Sequence, residues 1–199
     1  EVRRRGIEVN VELAEELEVE GEIAKEGLLE KLGGLNPSSA NDAPKIFLDM
    51  LNLPVLKMTE GGKDPDPEKR KPKPSFTKAV LEEYDKILEA RGDTSPEVGY
   101  VRAWRGWTTA MGLLLRPYQA LVSPDGRLRT SSTTQATSTG RLSTKEPNLQ
   151  QISKEGKDLW NDRIKKCFEA ETEDEDLWNF DFSQLELRLA TAYSGEWCS

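Results

Sequence analysis

The sequence predicts an α+β protein, mainly helical up to about residue 122 and mixed beyond it. Three observations carry that prediction. Apolar residues recur at helical spacing in four stretches before residue 122. An alternating, β-prone run over residues 127–134 follows a Pro124-Asp125-Gly126 turn signal, and an apolar run over 177–182 leads directly into another helical pattern.

The first helix is expected within residues 1–32, with Val11, Leu13, Leu17, Ile23, Leu28, Leu29 and Leu32 as its apolar side and Gly33-Gly34 as its stop. Ser39 or Asn41 caps a second, over 39–52, in which Ile46, Phe47, Met50 and Leu51 fall at helical spacing; Leu53-Pro54 ends it. Residues 57–78 are irregular, because Gly61-Gly62, Pro65, Pro67, Pro72 and Pro74 break a helix and remove backbone donors. A third helix runs from Thr77 through Ala90 with Val80, Leu81, Tyr84, Ile87 and Leu88 inward. A fourth, longer one covers 96–122 and carries Trp104, Trp107, Met111, Leu113, Leu114 and Leu115, aromatics that read as core among aliphatics. Leu177 to Phe182 reads as a buried strand, and Gln184 to Tyr193 as a helix leaving its C-terminal end.

The 199 residues, 36% hydrophobic and 32% charged, suffice for one or two modest domains that bury roughly 70% of the unfolded surface. Histidine is absent, which excludes Ser/His/Asp and Cys/His nucleophile arrangements and imidazole-ligated metal sites. Chemistry here must run on carboxylates, Lys, Arg or Tyr. Cys167 and Cys198 are too sparse for a disulfide scaffold, so a reducing compartment is expected. No apolar run approaches the roughly 18 residues of a membrane span, and a cytoplasmic protein with no membrane partner is the expectation. The absence of an initial Met, and an end at Ser199 just after a strongly patterned segment, read as a fragment.

The net charge of −8 argues against a generic nucleic-acid glove, but the charge is segregated. Residues 1–30 hold ten acids against four bases, and 168–199 hold nine acids against Arg188 alone. Between them, residues 113–167 carry ten bases against five acids, while the irregular 57–78 carries seven against four. A solvated loop and a phosphate-contacting loop are both open readings of that last segment.

An acid at a strand end, such as Asp181, suits a hard cation like Mg²⁺, and equally suits a helix N-cap. Glu186 lies about one and a half turns further on, able to lean over the same place. Residues 137–143 (Thr-Ser-Thr-Gly-Arg-Leu-Ser) and 147–152 (Pro-Asn-Leu-Gln-Gln-Ile) set Arg141, Asn148 and Gln150 on a loop. Such side chains suit minor-groove hydrogen bonding and also ordinary loop capping.

The run Asp181-Phe182-Ser183-Gln184-Leu185-Glu186-Leu187-Arg188 resembles motif A of the family A DNA polymerases, and the T-x-T-G-R-L-S and P-N-L-Q-x-I strings match the same family in order and spacing. The resemblance is strong from residue 125 and looser before it. It implies a helical thumb over residues 1–122, then the first antiparallel strands and helices of an incomplete palm over 123–199. Motif B of the fingers, motif C with its second metal-binding carboxylate, and a 3′ to 5′ exonuclease domain are not in the chain.

The resemblance further implies two Mg²⁺ ions, held by Asp181 and by the Phe182 carbonyl. It makes Glu186 a steric gate against a ribose 2′-hydroxyl, and Gln184 a support of the nucleotide pocket. Arg141 would reach the minor-groove edge of the primer-terminal pair, with Asn148 and Gln150 hydrogen-bonding bases or sugars near it. Lys154 would meet phosphate, in a stretch (Ser153-Lys154-Glu155-Gly156) that departs from the Pro and basic residue usual there. Arg188 is motif member or structural brace. Primer-template DNA and dNTPs are the implied partners, with the missing fingers and motif C part or a processivity factor as further ones. The activity implied for the intact enzyme is template-directed nucleotidyl transfer in replication or repair, with the isolated chain inactive. A non-catalytic duplex-binding remnant, or half of a split polymerase, is the alternative; Glu186 disfavours a single-subunit RNA polymerase.

Overall fold

The computed structural model describes residues 5–60, 71–133, 141–152, 159–170, 172, 174–178 and 182–194. Two compact units result, residues 1–168 and 169–199.

The first unit opens with a short strand where helix was expected, β1 (Ile7–Val9). It pairs antiparallel with β2 (Arg127–Leu128), Ile7 facing Leu128 and Glu8 facing Arg127. Gly6 precedes it at φ 76°, where a Cβ would lie 2.9 Å from the Leu128 carbonyl oxygen, so both the backbone angle and the close approach call for glycine. Helix α1 (Val11–Lys31) starts at Asn10, whose side chain accepts from the Leu13 N–H at 2.8 Å, and it stops at the left-handed Gly33-Gly34 as expected. Its buried face is Ala14, Leu17 and Gly21; Ile23, assigned inward from periodicity, is 65% exposed. Within a helix carrying apolar residues on more than one edge, the neighbouring helices decide which edge is covered.

Helix α2 (Asp42–Pro44) widens at once into a π-helical segment, Lys45–Met50, and the Ser39 hydroxyl accepts from the Asn41 and Asp42 N–H groups at 3.3 Å each. Ile46, Phe47 and Leu51 are buried, but Met50 turns outward, because the wider turn shifts the helical register. The flanks of the irregular 57–78 segment pair with each other: Thr59 N–H donates to Lys73 O, and Ser75 N–H to Lys57 O, both at 2.8 Å. Residues 61–70 lie outside the described residues. Helix α3 (Lys78–Arg91) begins after an extended Thr77 whose side chain makes no capping bond, buries Val80, Leu81, Tyr84 and Leu88, and ends on left-handed Gly92.

The long fourth helix is three segments in series: α4 (Glu97–Ala110), a π-helical Met111–Leu115, and α5 (Arg116–Leu121). The wider turn sits just before Pro117, which has no N–H to return to the preceding turn. Two hydrophobic clusters lie along this column. One joins Leu32, Phe47, Leu81, Tyr84, Val98 and Val101; the other joins Leu17, Met111, Leu115, Tyr118, Leu128, Ile164 and Cys167. Trp104 is buried, as read from its spacing, whereas Leu113 is exposed.

After the turn at Gly126, β3 (Ser131–Thr133) and β4 (Ser143–Lys145) form a two-stranded antiparallel sheet. Helix α6 (Leu159–Lys165) and β5 (Phe168–Glu169) follow, β5 joining β1 on the side away from β2. The architecture is α+β, with many helices and small antiparallel sheets. In the second unit the described element is α7 (Leu185–Ser194). Of the buried strand expected over 177–182, residues 179–181 lie outside the described residues, and the flanking Leu177, Trp178 and Phe182 are exposed and in no strand.

Candidate nucleic-acid interface

In the first unit the predicted residues Arg141, Asn148 and Gln150 stand on one short loop around β4. The chain leaves β4 through Glu146 and a cis Pro147, then makes a single 3₁₀ turn, Leu149–Gln151. Asn148 caps that turn, its Oδ1 accepting from the Gln150 N–H at 3.1 Å and from the Thr144 hydroxyl at 2.9 Å. Gln150 reaches back across β4: its Nε2 donates to Leu142 O at 3.0 Å and its Oε1 accepts from the Thr144 N–H at 3.4 Å. Thr144 is 7% exposed. Sequence reading missed it, although it directly follows the T-x-T-G-R-L-S string. Arg141, two residues before β4, is exposed. Lys154 lies outside the described residues.

Among the described residues, several of the bases of 113–167 are paired with acids within the fold. Arg116 pairs with Glu18 at 2.6 Å and Glu22 at 2.7 Å, and its guanidinium holds the Glu18 carboxyl below its ordinary value. Arg163 pairs with Glu20, and Arg129 grips Asp125 through both oxygens, at 3.0 and 2.6 Å. That grip holds the Asp125 carboxyl down to about 2. The charge arithmetic of the sequence therefore overstates the open positive surface.

A second basic position lies beside a cleft of about 360 Å³ lined by Pro37, Ser39, Thr59, Ser75, Phe76 and Arg105. The Arg105 guanidinium is half-buried and donates to Phe76 O and, at 2.9 Å, to Pro37 O; desolvation pulls its pKa down. Nothing in the sequence marked this Arg beyond its place between two tryptophans.

In the second unit, Phe182 is 78% exposed, Gln184 adopts a left-handed backbone at φ 50°, and the Gln184 carbonyl accepts from the Arg188 N–H at 3.0 Å. Glu186 stands in the first turn of α7, where a carboxylate suits the helix dipole. Asp181 lies outside the described residues. Among the described residues there is no group of three or more His, Cys, Asp or Glu side chains able to hold a metal ion, and no helix long and apolar enough to cross a membrane.

Residues 7–197 match the sequence profile described as DNA polymerase family A. The chain is 34% identical over 184 residues to the thermostable DNA polymerase I of Thermus thermophilus, covering 90% of this chain and 20% of that protein. It is 29% identical over 199 residues to DNA polymerase I of Lactococcus lactis, covering 96% and 20%. The chain thus spans about one fifth of the length of these relatives. Among solved structures, the POL domain of Pol1 from M. smegmatis, in complex with DNA primer-template and dNTP, shares the fold with a TM-score of 0.60 at 23% identity, over 82% of this chain and 26% of that one.

Proposed function

The chain belongs to DNA polymerase family A, and from that premise we propose that it is the thumb (residues 1–122) and first palm segment (123–199) of a DNA-directed DNA polymerase that extends a primer with dNTPs. The observation that supports this most is the unbroken run from Asp181 to Arg188, lying inside the matched span and leading into α7.

The donors offered at this run are a carboxylate, Asp181, and a backbone carbonyl, Phe182. Both are hard oxygens of the kind Mg²⁺ takes, so the donor chemistry fits the metal, and these two residues would hold it. When bound, the cations supply activation of the primer 3′-hydroxyl and neutralise charge on the departing pyrophosphate. Glu186 excludes a ribose 2′-hydroxyl by packing where it would lie, and Gln184 supports the nucleotide pocket. Arg141 meets the minor-groove edge of the primer-terminal pair. Correct pairs present acceptors at equivalent places in that groove, so such a contact tests pair shape rather than sequence. Lys154 meets phosphate.

Primer extension by the longer polymerase that carries this segment is the test. Asp181→Ala is expected to abolish magnesium-dependent incorporation while leaving duplex binding in place. Unchanged turnover would overturn the metal-ligand role, and absence of template-directed incorporation by the unsubstituted protein would overturn the function.

A further inference from the structure

Resting on the polymerase reading above, we infer that Tyr84 and Arg105 are positioning residues: each anchors one strand of a short ribbon, one face of which presents Lys57 and Lys73 to the phosphate backbone of the duplex. The flanks of the irregular 57–78 segment carry this inference, residues 57–59 on one side and 73–75 on the other. Thr59 N–H donates to Lys73 O and Ser75 N–H to Lys57 O, on either side of an antiparallel bridge between Met58 and Pro74. The Thr59 hydroxyl accepts in turn from the Lys73 N–H at 3.0 Å. In such a pairing Lys57, Thr59, Lys73 and Ser75 share one face, and Lys57 and Lys73 are diagonal neighbours on it, about 7–8 Å apart at the backbone. Both lysines are exposed, and neither has an ion pair among the described residues. Two unmatched cations at that separation suit a polyanion.

Paired strands of three residues are too short to hold a fixed place alone, so what ties the ribbon to the core decides where its lysines stand. The first strand is tied just before it begins: Tyr84, 1% exposed, donates its hydroxyl to Pro54 O at 2.9 Å. The second is tied just after it ends. Arg105 donates to Phe76 O, and the Phe76 ring stacks on Phe47 with 4.7 Å between centroids. The same guanidinium donates to Pro37 O, which holds it from the other side. Tyr84 and Phe47 belong to one buried cluster, so both strands are referred to the same close-packed body. A lysine is a point charge on a flexible stem, and the backbone beneath it is the part that the fold can aim.

The test measures binding of a fluorescently labelled primer-template duplex to this chain by anisotropy, over a range of salt concentrations. Lys57→Gln and Lys73→Gln are each expected to weaken binding severalfold at low salt and to lower the slope of its salt dependence by about one. Tyr84→Phe, which keeps the buried ring and removes the hydroxyl, and Arg105→Lys, which keeps the charge, are each expected to weaken binding severalfold and to lower the same slope. A variant that only reduced the folded fraction would leave that slope as it is. In a chain carrying both Lys57→Gln and Lys73→Gln, neither change is expected to weaken binding further. Losses that add in that background, or a salt slope untouched by Tyr84→Phe, would overturn the inference. Amide exchange without DNA reads the anchors directly: both anchor variants are expected to speed exchange at the Thr59 and Ser75 N–H groups, and unchanged protection overturns the anchoring. Duplex binding that is absent, or indifferent to both lysines, overturns the inference and leaves the polymerase reading to its own test, incorporation by the longer polymerase.

Discussion

Gly21 of α1 faces Trp107 of α4 so closely that a methyl group on it would lie 2.8 Å from Trp107 Cε3 and 3.0 Å from Met111 Sδ. Glycine here is a packing requirement, since it lets the two helices approach at the ring. Gly21→Ala gains about 1 kcal/mol of helix propensity but must displace an indole, an overpacking cost of about 1–3 kcal/mol. A net loss is expected, seen as a thermal midpoint lower by about 2–4 °C. In a Trp107→Leu background the same substitution should stabilise; a loss of the same size there would show that crowding by the ring is not the cause.

Arg105 ties the chain on either side of the first core together by donating to the carbonyls of Pro37 and Phe76. Removing it leaves both acceptors without that partner. Arg105→Ala is expected to cost about 2 kcal/mol in urea unfolding, with Arg105→Lys recovering only part because one ammonium does not reproduce the two-armed fork. Equal stability of the Lys and native proteins would count against the two-carbonyl role.

Asp125 titrates at about 2 against an ordinary 3.8 because of the Arg129 hydrogen bonds, so its folded value is depressed. The sign follows: the stabilisation is present above the unfolded value and is lost as pH falls through the window from about 3.8 to about 2. A carbon-detected titration of the Asp125 carboxyl should show this low midpoint, and Arg129→Gln should return it toward 3.8. A midpoint that stays low in Arg129→Gln would assign the shift to another donor.

Glu186 in the longer polymerase is expected to govern sugar choice. Glu186→Ala should raise incorporation of ribonucleotides relative to deoxynucleotides by at least tenfold, on the order of what one steric contact of about 1.4 kcal/mol or more confers. Selectivity that stays constant would remove Glu186 from the gate role.

Much of the local structure was legible in the residues. Helix α3 was expected from Thr77 through Ala90 and runs Lys78–Arg91; α7 was expected over 184–193 and runs Leu185–Ser194. Both are decided by periodicity and end signals that a few adjacent residues carry. The motif beginning at Asp181 likewise pointed to the polymerase family that the match over residues 7–197 shows. Strand β1 was not legible, because three residues become a strand only through β2, more than a hundred positions away. Of the site residues, Arg141, Asn148 and Gln150 could be singled out by type and context, but the hydrogen bonds of Asn148 and Gln150 to Thr144 and Leu142 could not, since they depend on how the chain folds back around β4.

By itself, then, the sequence determined the family, the helices with strong caps and apolar stripes, and the residue types available for chemistry, since each is written in contiguous residues or in composition. The tertiary structure alone decided that Ile23 faces out while Gly21 faces a tryptophan, and that Arg116, Arg129 and Arg163 are matched by acids. It also decided that the side chains of Asn148 and Gln150 hydrogen-bond to Thr144 and Leu142 around β4. The physical reason is common to all of these: burial, ion pairing and hydrogen bonding depend on which surfaces meet, and residues distant in sequence determine that meeting.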